Sequence, residues 1–194
     1  MGQEAPACDL PFTGPNLLPG EGQAPDFAKS MLALQQEVLG RVVPALLRGL
    51  ALSLRLDHDF FQAFFSNSVL IQRALYYPPS GSGADKRTDN GMFTLLFQEP
   101  RDACALSALS QGRWIDVPCR ANEVVVNLDD MLMKWSNGLF ASTPHQVIHR
   151  ASSARVSLPF FVYPDIDAVD STTASIEQAA HTIETFLRRQ RVWG

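Results

Sequence analysis

Apolar residues return at helical spacing from Phe27 to about Leu54: Met31, Leu34, Val38, Val42, Leu46 and Leu50 succeed one another every three or four positions. That period puts them on one face and predicts a long helix that opens at Pro25-Asp26. Pro44 sits inside the run and has no N–H to donate, so a kink or local break is expected there. A shorter helix fits Asp57–Phe65, with Asp57 as its N-cap. From Val69 onward the pattern turns to short segments of strand character bounded by turn residues. These are Val69–Tyr77, Met92–Phe97, Ala103–Leu109, Trp114–Val117, Glu123–Leu128, Gln146–His149 and Arg155–Val162. Pro78 to Gly83, Gln111-Gly112 and Ser136-Asn137-Gly138 punctuate them. Repeated short strands with such turns predict a barrel or sandwich. One helical turn fits Asp129–Trp135, and a last helix fits Ser175–Arg191, with Ser171–Thr173 as caps. The expected order is therefore helices, a mainly β core over about 69–163, then one helix. Residues 1–25, rich in Gly and Pro, read as a flexible lead-in, and 26–194 as a single domain.

Composition narrows the function classes. The 194 residues are 46% hydrophobic and 19% charged, an ordinary globular balance, with a formal net charge of −4. No basic stripe suggests nucleic acid as a partner; Arg188, Arg189 and Arg191 suit the C-terminal end of a helix. No apolar run is long enough to span a membrane. The first residues lack a basic segment followed by an apolar one, so a cytoplasmic location is expected. Position 6 is Pro, which argues against myristoylation at Gly2. Cys8, Cys104 and Cys119 are odd in number and widely spaced, which disfavours a disulfide framework or a zinc site.

Four histidines are present: His58, His145, His149 and His181. His58 and His181 lie in helical segments and are expected at the surface. His145 follows Ser142-Thr143-Pro144, and the proline favours extended backbone before it, which places His145 at a strand start.

Its neighbours along the chain carry a resemblance. Arg87-Thr88-Asp89-Asn90-Gly91-Met92-Phe93-Thr94-Leu95-Leu96 resembles the His-x-Asp-x-Gly-x-x-Thr-Leu-Leu segment of the isopenicillin N synthase-like family of Fe(II)/2-oxoglutarate-dependent dioxygenases. Gly112 to Pro118, Val124 to Leu132, Trp135 to Gly138, Ser142 to Val147 and Arg155 to Phe161 then resemble later family segments in order. Val124 to Leu132 aligns with the pattern Val-Val-Asn-x-Gly-Asp-x-Leu. Tyr76-Tyr77-Pro78-Pro79 resembles the strand end before the first metal motif. The resemblance implies a double-stranded β-helix, or jelly roll, with a long helix before it and one helix after. It implies oxidation of a small organic substrate by O2, with Fe(II) as cofactor, 2-oxoglutarate as co-substrate released as succinate and CO2, and ascorbate as an accessory reductant. It implies metal binding by Asp89 and His145, 2-oxoglutarate binding by Arg155, Ser157 and Tyr77, and a substrate pocket walled by Phe93 and Phe160.

One position departs from the pattern. Arg87 stands where the family has its first metal-binding histidine, and a guanidinium offers a metal no lone pair. Asp89, two residues on, is the expected ion-pair partner of Arg87. The family also carries a further N-terminal region that this chain lacks, so an exposed sheet edge or open site mouth is expected, which a homodimer could cover. The alternative function is a catalytically degenerate homologue that binds a dicarboxylate or a protein.

Overall fold

The computed structural model describes residues 18–79, 81, 83–102, 104–148, 152–166 and 168. The 175–191 helix, His149, His181 and the basic cluster near the end of the chain lie outside the described residues. The chain divides into two compact units between Val69 and Leu70.

The first unit is helical. Helix α1 spans Phe27–Glu37, a wider π-helical turn spans Val38–Val42, and helix α2 spans Val43–Ser53. The expected disturbance falls just before Pro44, which sits in the first turn of α2. Proline cannot donate to the carbonyl one turn back, so the ladder shifts register upstream: the Val43 N–H reaches back five residues to the Val38 carbonyl. The apolar stripe is buried over Val38, Val43, Leu47 and Ala51, whereas α1 buries no residue. The expected 57–65 helix is reduced to one 3-10 turn, Phe61–Phe64. The Asp57 carboxylate does accept from a nearby backbone N–H, that of Asp59, at 3.0 Å. Among the described residues no helix is long and apolar enough to cross a membrane.

Among the described residues nine strands follow, the first beginning at the unit boundary and the rest within the second unit: β1 Val69–Gln72, β2 Leu75–Tyr77, β3 Ala84–Arg87, β4 Phe93–Gln98, β5 Leu106–Ser110, β6 Arg113–Asp116, β7 Val125–Leu128, β8 His145–Val147 and β9 Arg155–Tyr163. A short helix α3, Asp130–Trp135, separates β7 from β8. One sheet runs β1-β9-β4-β7, with β2 also paired to β9; the other runs β3-β8-β5-β6. The pairs β2–β9, β4–β7, β4–β9, β3–β8, β5–β6 and β5–β8 are antiparallel. This is the expected jelly-roll core. The β5–β6 hairpin turns on Gln111 and Gly112, both at positive φ (50° and 76°), as a two-residue turn matched to strand twist requires. Strand β3 departs from the sequence expectation, because Ala84-Asp85-Lys86-Arg87 has three charges in four residues and no apolar alternation. Only its pairing with β8 makes it a strand.

Register decides what faces the interior. Thr94 lies opposite Phe161 and Asn127, and Leu96 opposite Pro159 and Val125. Tyr77 lies opposite Arg155, and Leu75 opposite Ser157. Residues opposite each other share a face, so these side chains line one surface. Together with residues of the second sheet they enclose a cavity of about 300 Å³. The intervening residues Phe93, Leu95, Phe160 and Val162 are fully buried on the reverse face.

Candidate active site

Asp89 lies in the loop after β3, and that loop is tied down from both sides. The Asp130 N–H, at the start of α3, donates to the Asp89 carbonyl at 2.9 Å, and the Met131 N–H to the Gly91 carbonyl at 3.0 Å. On the other side the Met92 N–H donates to the Val162 carbonyl at 2.8 Å. Gly91 is required for this closeness: a Cβ there would stand 2.7 Å from the Val162 carbonyl oxygen and 3.1 Å from Asp129 Oδ2. The loop presents the Asp89 carboxylate to the cavity, where Oδ2 lies 3.5 Å from His145 Nε2. His145 Nδ1 is 3.1 Å from the Thr143 carbonyl. A carbonyl can only accept, so Nδ1 donates to it and Nε2 is the ring nitrogen that faces Asp89. A carboxylate oxygen and an imidazole nitrogen thus converge, an arrangement that a metal cation or a proton between them completes.

The expectation that Asp89 and His145 come together is met by this geometry. The expected Arg87–Asp89 ion pair is not. Strand β3 ends at Arg87, so the two-residue rule for sharing a strand face does not extend to Asp89. Asp89 turns instead to Asn127 and His145. The Arg87 guanidinium donates from Nη1 to the Asp85 carbonyl at 3.0 Å. Among the described residues no third His, Cys, Asp or Glu joins Asp89 and His145 as a metal donor. The donor set is one short of the two-histidine, one-carboxylate triad that holds Fe(II) on one face.

At the other sheet the cavity is lined by a buried cation. Arg155 is 1% exposed, so its charge is out of water. Nη2 donates to Gln98 Oε1 at 2.9 Å, while Nε and Nη1 are buried without a hydrogen-bond partner. The guanidinium carbon stands 4.8 Å from the centre of the Tyr77 ring. Ser157, two residues along β9, is buried on the same cavity face. A buried guanidinium with unpaired N–H groups is costly unless an anion completes it, and its fork matches a carboxylate. The residues present fit 2-oxoglutarate more fully than they fit iron.

Phe93 and Phe160, expected as pocket walls, are corrected by the structure. Both are fully buried and absent from the cavity lining, which contains Phe161 instead. A one-residue step along a strand reverses the face, and the residues' aromatic character gives no sign of which face is which.

Behind Asp89 lies a network that sequence reasoning missed. The Asn127 Nδ2 donates to Asp89 Oδ2 at 3.2 Å and to Asp129 Oδ1 at 2.9 Å. The Thr94 hydroxyl donates to Asp129 Oδ2 at 3.0 Å. Asp129 is fully buried, and desolvation, with the neighbouring Asp89 charge second, raises its pKa to about 7. The signal was available: Asp129 stands at the glycine of the Val-Val-Asn-x-Gly-Asp-x-Leu pattern. Burial, then the charges of Asp129 and Asp89, also raise the Tyr163 phenol. Gln98 gave no signal either, because a glutamine at a strand end has no chemistry until Arg155 is placed beside it.

Comparison with known proteins identifies the family. The family model of the 2OG-Fe(II) oxygenase superfamily matches residues 67–164. The 2-oxoglutarate-Fe(II) type oxidoreductase hxnY of Emericella nidulans is 30% identical over 166 residues, covering 81% of this chain and 47% of the relative. The 2-oxoglutarate-dependent dioxygenase caaD of Aspergillus niger is 25% identical, covering 98% of this chain and 61% of the relative. The chain thus spans about half to three fifths of the length of these relatives. Among solved structures, a full-length Neurospora crassa protein in complex with alpha-KG superposes with a TM-score of 0.71 at 29% identity, over 81% of this chain and 52% of that one. JOX2 in complex with 2OG, Fe and JA gives a TM-score of 0.68 at 27% identity, over 78% of this chain and 48% of that one. The chain belongs to the 2OG-Fe(II) oxygenase superfamily.

Proposed function

We propose that the chain is an Fe(II)- and 2-oxoglutarate-dependent oxygenase acting on a small organic substrate. In this reading Asp89 and His145 hold the metal, and Arg155, Ser157 and Tyr77 hold 2-oxoglutarate. The observation that carries it is the pairing, in one cavity, of a buried guanidinium with two unpartnered nitrogens, Nε and Nη1, and a carboxylate–imidazole pair 3.5 Å apart. Iron so bound supplies O2 activation coupled to conversion of 2-oxoglutarate to succinate and CO2. The protein's own part is to fix the dicarboxylate by one end and to orient Asp89 and His145. Arg155 does the first through its fork. Asn127 and the Thr143 carbonyl do the second, each through one hydrogen bond that fixes its partner's orientation.

Arg87 favours a second reading, in which the cavity binds a dicarboxylate without turnover; the family relatives do not favour it. One experiment separates the two. Anaerobic addition of Fe(II) and 2-oxoglutarate to purified protein is expected to produce the visible charge-transfer band of the metal chelate, and O2 then to release succinate. Calorimetric binding of 2-oxoglutarate without band or succinate would leave the second reading. No binding at all would remove both.

A further inference from the structure

Arg87 is unexplained by either the metal pair or the co-substrate receptor. It is the residue of β3 directly opposite His145 of β8, it lines the cavity, and it is exposed to solvent there. Of its five N–H donors, one is used on the Asp85 carbonyl. Among the described residues no carboxylate lies within ion-pair distance of it: Asp85, two residues before, meets it only through its backbone carbonyl, and Asp89, two residues after, is engaged by Asn127 and His145. The other cavity cation, Arg155, belongs to the opposite sheet and lies against Tyr77 and Gln98. The cavity therefore carries two permanent positive charges on opposite walls and one aspartate that is already partnered. Ala108 lies opposite His145 on β5, Leu106 and Val147 continue that wall, and Val125, Leu128 and Ala141 add apolar surface elsewhere in the same cavity.

We infer that Arg87 anchors a carboxylate of the oxidised substrate, so that the cavity takes an apolar organic acid and discriminates against its neutral analogues. This inference rests on reading the cavity as an oxygenase site whose co-substrate is held by Arg155. A guanidinium is charged at every working pH and pairs with a carboxylate through two parallel hydrogen bonds. Its position beside His145 places the acid group next to the metal pair, and the apolar walls receive the carbon skeleton. A neutral amide of the same shape forfeits the charge and leaves the cation without a partner, which is how a polar site rejects a near-isostere. The replacement that removes a metal donor would thus supply a selectivity element at the same register position.

The test uses protein loaded anaerobically with Fe(II) and 2-oxoglutarate. Hexanoate, octanoate and 3-phenylpropanoate are each titrated against their primary amides by calorimetry. The expected result is that at least one acid binds about tenfold or more tighter than its amide, and that Arg87→Gln removes this preference while 2-oxoglutarate affinity stays within about twofold. Arg87→Lys is expected to retain part of the preference, since it keeps the charge and loses the fork. Equal binding of acids and amides, no binding of any acid at millimolar concentration, or a preference that survives Arg87→Gln would overturn the inference. So would a large loss of 2-oxoglutarate affinity in Arg87→Gln, which would put Arg87 in the co-substrate clamp. Failure of the wild-type protein to bind 2-oxoglutarate is seen before any acid is added, and counts against the underlying reading instead.

Discussion

Replacing Asp129 by asparagine isolates the electrostatic cost of the network behind Asp89. The Asp129 carboxyl is fully buried, accepts hydrogen bonds from Asn127 and Thr94, and titrates near 7 where an ordinary aspartate titrates at 3.8. A folded-state pKa above the unfolded one means that the native protein holds a proton the unfolded chain has released. Stability is therefore full below about 4 and is lost as pH rises through about 7. Roughly three pK units at 1.36 kcal/mol each put the whole loss on the order of 4 kcal/mol, of which roughly 3 kcal/mol falls between pH 5 and pH 8. The side-chain amide of Asp129→Asn has no proton to release, nearly the same shape, and an oxygen that can still accept from Asn127. In urea unfolding of metal-free protein, the wild type is expected to lose stability relative to Asp129→Asn by roughly 2–4 kcal/mol on going from pH 5 to pH 8. Titrating groups that do not interact with Asp129 cancel in that difference, while its coupling to Asp89 is part of what the difference reads. A wild-type minus variant stability difference that stays constant with pH would refute the reasoning, because Asp129 would then ionise like an exposed carboxylate.

Further outcomes follow from single contacts. Arg155→Met is expected to raise the stability of the ligand-free protein by roughly 1–3 kcal/mol in chemical denaturation while abolishing 2-oxoglutarate binding, since it removes a buried charge with two unpartnered nitrogens. Gly91→Ala drives a methyl against the Val162 carbonyl and Asp129, and should cost roughly 1–3 kcal/mol and weaken Co(II) binding, read by calorimetry and the cobalt spectrum. Phe160→Ala should cost roughly 3–5 kcal/mol of stability, while Phe161→Ala should cost less and change ligand affinity instead. Arg87→His places an imidazole opposite His145 and completes the triad; Co(II) affinity is expected to rise at least about tenfold, and an unchanged affinity would show that β3 cannot direct a ligand at Asp89.

Much of the molecule was legible along the chain because its signals are local. The helical stripe around Val38 and Leu47, the break at Pro44 and the Gln111-Gly112 turn each follow from backbone chemistry within a few residues. Asp89, His145, Arg155 and Ser157 were legible as a set through motif order. Strand β3 was not, because a highly charged segment has no period of its own and becomes a strand only through β8. The pocket wall was misplaced from Phe161 to Phe160 for a related reason: alternation tells that two faces exist, and only register against β4 tells which one meets the cavity.

The amino-acid order by itself therefore determined most of the elements, the family, and the residue types able to bind a metal and a carboxylate, since these depend on spacing and side-chain chemistry. The tertiary structure alone decided their state. It left two nitrogens of Arg155 buried without partners, joined Asp89 to Asp129 through one carboxamide, and sent Arg87 toward the Asp85 carbonyl instead of Asp89. Those outcomes depend on desolvation, on the Asn127–Asp89 contact across 38 positions, and on the pairing of β3 with β8, none of which a local pattern encodes.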